Sequence, residues 1–277
     1  MDLKSFFESE GIFYTALLPI DLVRVTNEAL LARTIPSARS VLLFLVPYYA
    51  GDLPGNLSLY ARSKDYHLFA KELSARLYAR LKKLYPGKTF HLFTDHSPLS
   101  EVYAAALGGL GVLGDNGLLI NERYGSYVFL FDLLSDMTLP EWGFESTVGS
   151  VSGCLHCGAC KRACPCRFED CASGIGQKKG ALSPEEEALV LKTGLVWGCD
   201  LCQRACPLNK NAEKTAIPFF YEDRIEGLDT ETLSSLQGER FKERAFAWRG
   251  RATVARNVAL FERTEEASSA PNGKEEI

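Results

Sequence analysis

Cysteine is missing from residues 1–150 and again after Cys206, although the chain of 277 residues has nine. Neither charge dominates, with 31 Lys and Arg against 35 Asp and Glu and a formal net charge of -4. This removes a global electrostatic drive toward nucleic acid but leaves room for a local basic face. No apolar stretch is long enough to cross a bilayer, since the longest, Val41 to Ala50, is short and broken by Pro47. The opening MDLKSFFESEGIFY carries Asp2, Glu8 and Glu10 where a signal peptide would need an unbroken apolar run. The expectation is a cytoplasmic protein with no membrane partner. In a reducing compartment thiols stay free, so nine cysteines between Cys154 and Cys206 read as metal ligands before they read as disulfides.

What is present is an ordinary globular composition, 46% apolar and 24% charged, enough for a sizeable core. It excludes a disordered, collagenous or disulfide-stapled chain. The first part alternates strand and helix signals. Ser40–Pro47 is a continuous apolar run of the buried-strand kind, and Asp65–Leu84 has helical spacing at Leu68, Phe69, Leu73, Leu77, Tyr78 and Leu81, stopped by Pro86 and Gly87. A strand at Thr89–Thr94, a helix from about Pro98 to Leu107 begun by Ser97, a glycine-rich turn, and strands at Leu118–Asn121 and Tyr127–Leu134 follow. Further on, Pro184–Thr193 reads as a helix capped by Ser183, and residues 230–262 as two short helices. The fold class is mixed α/β (α+β). The expected domains are 1–150, 151–212 with all the cysteines, a helical segment 213–263, and a polar, disordered tail 264–277.

Cys154, Cys157, Cys160 and Cys164-Pro165 form C-x2-C-x2-C-x3-C-P, the run that in two-cluster ferredoxins gives three thiolates to one 4Fe-4S cluster and the fourth to the other. A second, spread-out run is Cys171, Cys199, Cys202 and Cys206-Pro207. With fourth ligands exchanged, one cluster takes Cys154, Cys157, Cys160 and Cys206, and the other takes Cys164, Cys171, Cys199 and Cys202. Structural zinc is the competing reading, although zinc needs no such triple run. Cys166 is left over as a spare thiol, and His156 reads as a surface or cluster-shielding residue. The turn Gly108–Gly117 has no Gly-Lys-Ser/Thr ending, which argues against a phosphate loop. Its glycines leave room for close approach of the backbone to a neighbour.

The segments YARSKDYH (60–67), TDHSPLSE (94–101), GLGVLGDNGLLI (109–120), YGSYVFLFDLLSD (124–136), GCDLCQRACPLN (198–209) and AWRGRATVARN (247–257) resemble, in order and wording, the epoxyqueuosine reductase family. The same build is similar to reductive dehalogenases. The resemblance implies a nitroreductase-like corrinoid-binding domain joined to a ferredoxin-like module with two 4Fe-4S clusters. It further implies reduction of the epoxide of epoxyqueuosine in tRNA, with electrons passing through the clusters to cobalamin from an external donor such as flavodoxin or ferredoxin. Asp95 matches the family's proton-donating aspartate, which would need a pKa raised by burial. Without the resemblance, Asp95 reads as a turn residue before Ser97-Pro98. Asp95 again, with Asn116, Leu119, Leu130 and Leu133, matches cofactor-binding positions along the corrin, although apolar residues on strands are also plain core. No D-x-H-x-x-G segment is present, so the resemblance implies cobalamin with no histidine on cobalt.

The chain departs from the family at Asp115, where a lysine is usual, at Val102, where an arginine is usual, and in the small residues after Cys171. It also lacks the helical repeats that many longer members carry, so a short form is expected. Lys178, Lys179, Arg244, Arg249, Arg251 and Arg256 remain as candidates for a phosphate-contacting face, against the reading of ordinary solvated charges. Two alternatives stay open: a corrinoid reductase of the same build acting on another small substrate, and a ferredoxin-like carrier without corrinoid.

Overall fold

Two eight-residue strands, Ser40–Pro47 and Val128–Ser135, pair antiparallel from Ser40 opposite Ser135 to Pro47 opposite Val128 and form the centre of the chain's main sheet. The computed structural model describes residues 2–143, 153–168 and 170–269. The domain boundary expected at 150 and most of the tail expected to be disordered therefore lie outside the described residues. The chain divides into two compact units: Met1–Gly51 with Tyr66–Cys160 and Gln203–Glu222, and Asp52–Asp65 with Lys161–Cys202 and Asp223–Ile277. This division passes through both cysteine runs, unlike the one drawn at 150 and 212.

The first unit contains, in order, α1 (Leu3–Ser9), β1 (Thr15–Pro19), α2 (Glu28–Thr34), β2 (Ser40–Pro47), α3 (Tyr66–Leu84), β3 (Phe90–Phe93), α4 (Glu101–Leu107), the hairpin β4 (Val112–Leu113) and β5 (Leu119–Ile120), and β6 (Val128–Ser135). The sheet order is β1-β2-β6-β3, antiparallel throughout. Every residue of β2 is buried, which is why its sequence is a run of apolar residues rather than an alternation. Val41, Leu43 and Leu45 face one core with Ala104, Ala105 and Ala106 of α4. On the other face Phe44 meets Phe7 and Phe131 at ring distances of 4.9 and 5.1 Å. The alanines let α4 lie close to the sheet, so close that a Cβ on Gly108 would sit 2.6 Å from the Ala16 side chain. Each fully buried Leu, Val or Phe here contributes about 1.5–3 kcal/mol.

Two short helices, α5 (Ala159–Ala163) and, later, α8 (Leu201–Arg204), carry the chain from one unit into the other. The second unit holds α6 (Ala172–Gly176) and α7 (Pro184–Leu191), then α9 (Thr230–Ser235), α10 (Glu239–Lys242) and α11 (Arg251–Ser269). Helix α7 starts as expected: Ser183 and Glu186 form a reciprocal capping box with Pro184 in the first turn. Residues 230–262 differ from the two short helices expected, because α11 runs for 19 residues and continues through Ser269 into the segment expected to be a disordered tail. Leu57, Trp197, Phe246, Val254 and Val258 form one core of this unit. A smaller one, around Cys166, Ile175, Val190 and Leu260, packs against Cys164 and Cys199.

Candidate functional site

In the first unit one pocket is lined by Cys154, Cys157, Cys160 and Cys206 together with Asp115 and Asn116. Cys206 reaches it from far along the chain because Asn209, three residues on, is anchored: its Nδ2 donates to Ser126 Oγ at 2.8 Å and its Oδ1 accepts from Ser126 N at 2.9 Å. Gln203 donates to the Ser126 carbonyl at 2.9 Å, so the CQRACPLN segment is tied to the turn before β6 at both ends. A four-thiol pocket fits the donor set of an iron-sulfur cluster. Cys164, Cys171, Cys199 and Cys202 all belong to the second unit. There, burial pushes the Cys199 thiol up to about 12, and Cys202 and Cys171 beside it add to the effect. Cys166 is buried in the small core next to Cys164, and burial raises its thiol too. All nine cysteines are free of disulfides.

His156 is exposed, as expected of a surface residue, and it has a partner. Its Nδ1 lies 2.8 Å from Asp115 Oδ1, and Cys154 is close enough for the three to form a potential metal-ligating group. Asp115 thus comes with a partner.

Asp95 sits in the short loop between β3 and α4, and its carboxylate accepts from the His96 backbone N–H at 2.8 Å. His96 is held at φ 52, a left-handed conformation that a non-glycine residue adopts only where its surroundings impose it. The Asp95 side chain is 52% exposed, so burial by the first unit's own residues, which a raised pKa was expected to require, is not found. The burial falls instead on two neighbouring carboxyls. Asp132 of β6 is completely buried and is pushed up to about 7 by that burial, against the opposing effect of its Ser97 hydrogen bond. Glu101, in the first turn of α4, is pushed up to about 8 by burial and by the charges of Asp132 and Asp95. No Lys or Arg enters either balance. Ser97 does not cap α4; Ser100 occupies that position, and the Ser97 hydroxyl donates to Asp132 Oδ2 at 2.6 Å. A single Asp inside the apolar strand VFLFDLLS was the sequence signal for this buried acid.

The residues matched to the corrin lie in three places. Asn116 lines the cysteine pocket. Leu119 belongs to the core, with Leu130 half-buried against it. Leu133 is fully buried and, three positions from Leu130 on one strand, points to the opposite face of the sheet. Leu133 is therefore turned away from the face that holds Leu119 and Leu130. The glycine run is accounted for by packing: a Cβ on Gly111 would lie 2.5 Å from the Ile120 carbonyl oxygen, and Gly117 turns at φ +77. A cavity of about 570 Å³ runs along Gly109–Val112 with Tyr14, Glu122 and Leu208 at its wall.

Most of the candidate basic face is engaged internally. Arg244 is buried and donates to the Asp223 carboxylate at 2.5 Å, Arg251 donates to the Leu233 and Leu236 carbonyls, and Lys178 pairs with Glu186. Arg256 donates to the carbonyls of Gly176, Lys178 and Gly180 at 2.6–2.7 Å, closing the end of α6. Lys179 remains exposed, and Arg249 lies 3.9 Å over the ring of the exposed Trp248.

The antiparallel sheet with its cysteine-rich second part is a fold with solved counterparts. The Streptococcus thermophilus epoxyqueuosine reductase superposes with a TM-score of 0.74 at 21% identity, covering 93% of this chain and 79% of that one. A crystal structure of epoxyqueuosine reductase with an epoxyqueuosine-modified tRNA-Tyr stem loop superposes at 0.76 and 22% identity, with the same coverage. The family model described as epoxyqueuosine reductase QueG, DUF1730, matches residues 29–96. The epoxyqueuosine reductase of Synechocystis sp. is 33% identical over 224 residues, 73% of this chain and 74% of its own length. That of Lactococcus garvieae is 30% identical over 218 residues, 74% of this chain but 60% of its own length. The chain belongs to the epoxyqueuosine reductase family. Among the described residues no helix is long and apolar enough to cross a membrane.

Proposed function

We propose that the chain reduces the epoxide of epoxyqueuosine in tRNA to give queuosine, the oxygen leaving as water at the expense of two electrons and two protons. Cys154, Cys157, Cys160 and Cys206 would hold one 4Fe-4S cluster and Cys164, Cys171, Cys199 and Cys202 the other, with electrons arriving from an external flavodoxin or ferredoxin in the cytoplasm. When bound, cobalamin supplies a cobalt centre that single electrons bring to a reactive state. Cobalamin follows here from family membership, and of the residues matched to it Leu133 lies on the opposite face of β6 from Leu130.

The chain's own contribution is protonic. Asp95, exposed until substrate covers its loop, then meets the opened epoxide oxygen and donates the first proton to it. Ser97 and Asp132 hold that loop against β6. Glu101 and Asp132 retain protons near neutral pH, because burial disfavours their charged forms, and stand behind Asp95 as the source of the second proton. Leu130 offers a half-buried apolar surface on the same face of β6 as Asp132.

The observation that carries this reading is the convergence of Cys206 with the Cys154–Cys160 run in one pocket of a chain belonging to this family. Nucleoside analysis of tRNA from an epoxyqueuosine-accumulating strain expressing the chain tests it. Conversion of the epoxyqueuosine peak to queuosine is the expected result. An unaltered peak, with clusters and cobalamin present, moves the assignment to a reductase of another small substrate. Val102 and Asp115, which replace two usual cations, favour that second reading.

A further inference from the structure

The Asn116 side chain has one end satisfied and the other not. Its Oδ1 accepts from the Leu118 backbone N–H at 3.3 Å, which fixes which way the amide faces. Its Nδ2 is then buried with no hydrogen-bond partner among the described residues. Leaving a buried amide N–H unmade costs about 1–3 kcal/mol, so an orphan of this kind in a native fold calls for a partner. Asn116 lines the pocket formed by Cys154, Cys157, Cys160 and Cys206. Asp115, on the same wall, already has a partner in His156. Gly114 is part of the same arrangement: a Cβ there would lie 2.5 Å from Asn116 Oδ1, so glycine at 114 keeps the amide in place.

We propose that the Asn116 amide donates a hydrogen bond to a sulfur of the cluster held by Cys154, Cys157, Cys160 and Cys206, and so raises the reduction potential of that cluster relative to the other. The inference rests on the reading that these four cysteines hold a 4Fe-4S cluster. Taking up one electron from the donor adds one negative charge to the iron-sulfur cage. A fixed N–H dipole aimed at its sulfurs stabilises the reduced form more than the oxidised one. Asn116 thereby acts as an electron-transfer tuning residue.

The test uses the full chain reconstituted anaerobically with iron and sulfide, and follows both clusters by EPR during a redox titration. In Asn116→Leu, one midpoint potential falls and the other stays, while iron remains at about eight per chain. Asn116→Ala serves the same purpose if the leucine variant does not assemble. A readout free of variants is wild type labelled with 15N in asparagine side-chain amides: one reduced cluster should show a 15N hyperfine coupling. Two clusters in wild type, without that coupling and with potentials that the substitutions leave in place, overturn this inference alone. Wild type that assembles no cluster overturns the ligand assignment and the inference together.

Discussion

The Ser97 hydroxyl donates a 2.6 Å hydrogen bond to the Asp132 carboxylate, joining the loop that carries Asp95 to the completely buried centre of β6. The other carboxylate oxygen, Oδ1, is buried with no partner among the described residues. A charged carboxylate in that position costs far more than a protonated one.

This arrangement fixes how stability depends on pH. Asp132 and Glu101 have folded-state values of about 7 and about 8, raised above their ordinary 3.8 and 4.5. The folded chain therefore holds protons that the unfolded chain releases. Their contribution is complete below the unfolded values and is lost as pH rises through 7 and 8. Wild type should lose resistance to urea between about pH 5 and about pH 9. Asp132→Asn, which keeps an acceptor for Ser97, should flatten that decline, as should Glu101→Gln. A parallel decline in both variants counts against the buried acids.

Turnover separates the three carboxyls. Asp95→Asn should bind cobalamin as wild type does and lose epoxide reduction by about 10²-fold or more, the usual worth of a positioned proton donor. Glu101→Gln should keep the first proton transfer and slow multiple turnovers, the gap to wild type closing as pH rises past about 8, where Glu101 itself gives up its proton. Full activity in Asp95→Asn would remove its role.

The cysteines make a stoichiometric prediction. Cys206→Ser should reduce iron from about eight to about four per chain, with the remaining cluster that of the second unit. Cys166→Ala should leave about eight, since its thiol lies in the small core. Iron content and EPR of reconstituted protein check both.

Arg256 gives a stability prediction outside the redox site. Three carbonyls at the end of α6 depend on its guanidinium, and the neighbouring Asn257 also donates to the Gly176 carbonyl at 3.0 Å. Arg256→Ala should cost about 2–3 kcal/mol by urea unfolding, and Arg256→Lys should recover little of it, because one ammonium cannot span three acceptors.

The fold was legible where one residue's neighbours are local. Val41–Pro47 is apolar throughout because both faces of its strand are covered, and Ser183-Pro184 with Glu186 announces α7 within four residues. The cysteine spacing is equally local, and so the Cys154–Cys160 run was readable. What escaped depends on tertiary placement. Ser97 looked like a helix cap until Asp132, from a distant strand, claimed its hydroxyl. Leu130 and Leu133 looked like companions on one surface, but an odd separation on a strand puts them on opposite faces. Arg244, Arg251 and Arg256 looked like a solvated basic stripe, and only the folded positions of Asp223 and the Leu233, Leu236 and Gly176 carbonyls turn them inward. Asp132 and Glu101 became visible as proton holders only once their burial was known.

The order of the cysteines along the chain has a consequence for synthesis. In the proposed assignment, Cys164, Cys171, Cys199 and Cys202 are nested inside the interval from Cys154 to Cys206. A nascent chain therefore presents the complete ligand set of the second unit before Cys206 has emerged to finish the first. Maturation has a built-in direction: the inner cluster can be loaded while the outer one still lacks a thiolate, and the outer site closes only when the chain has returned to the unit where it began.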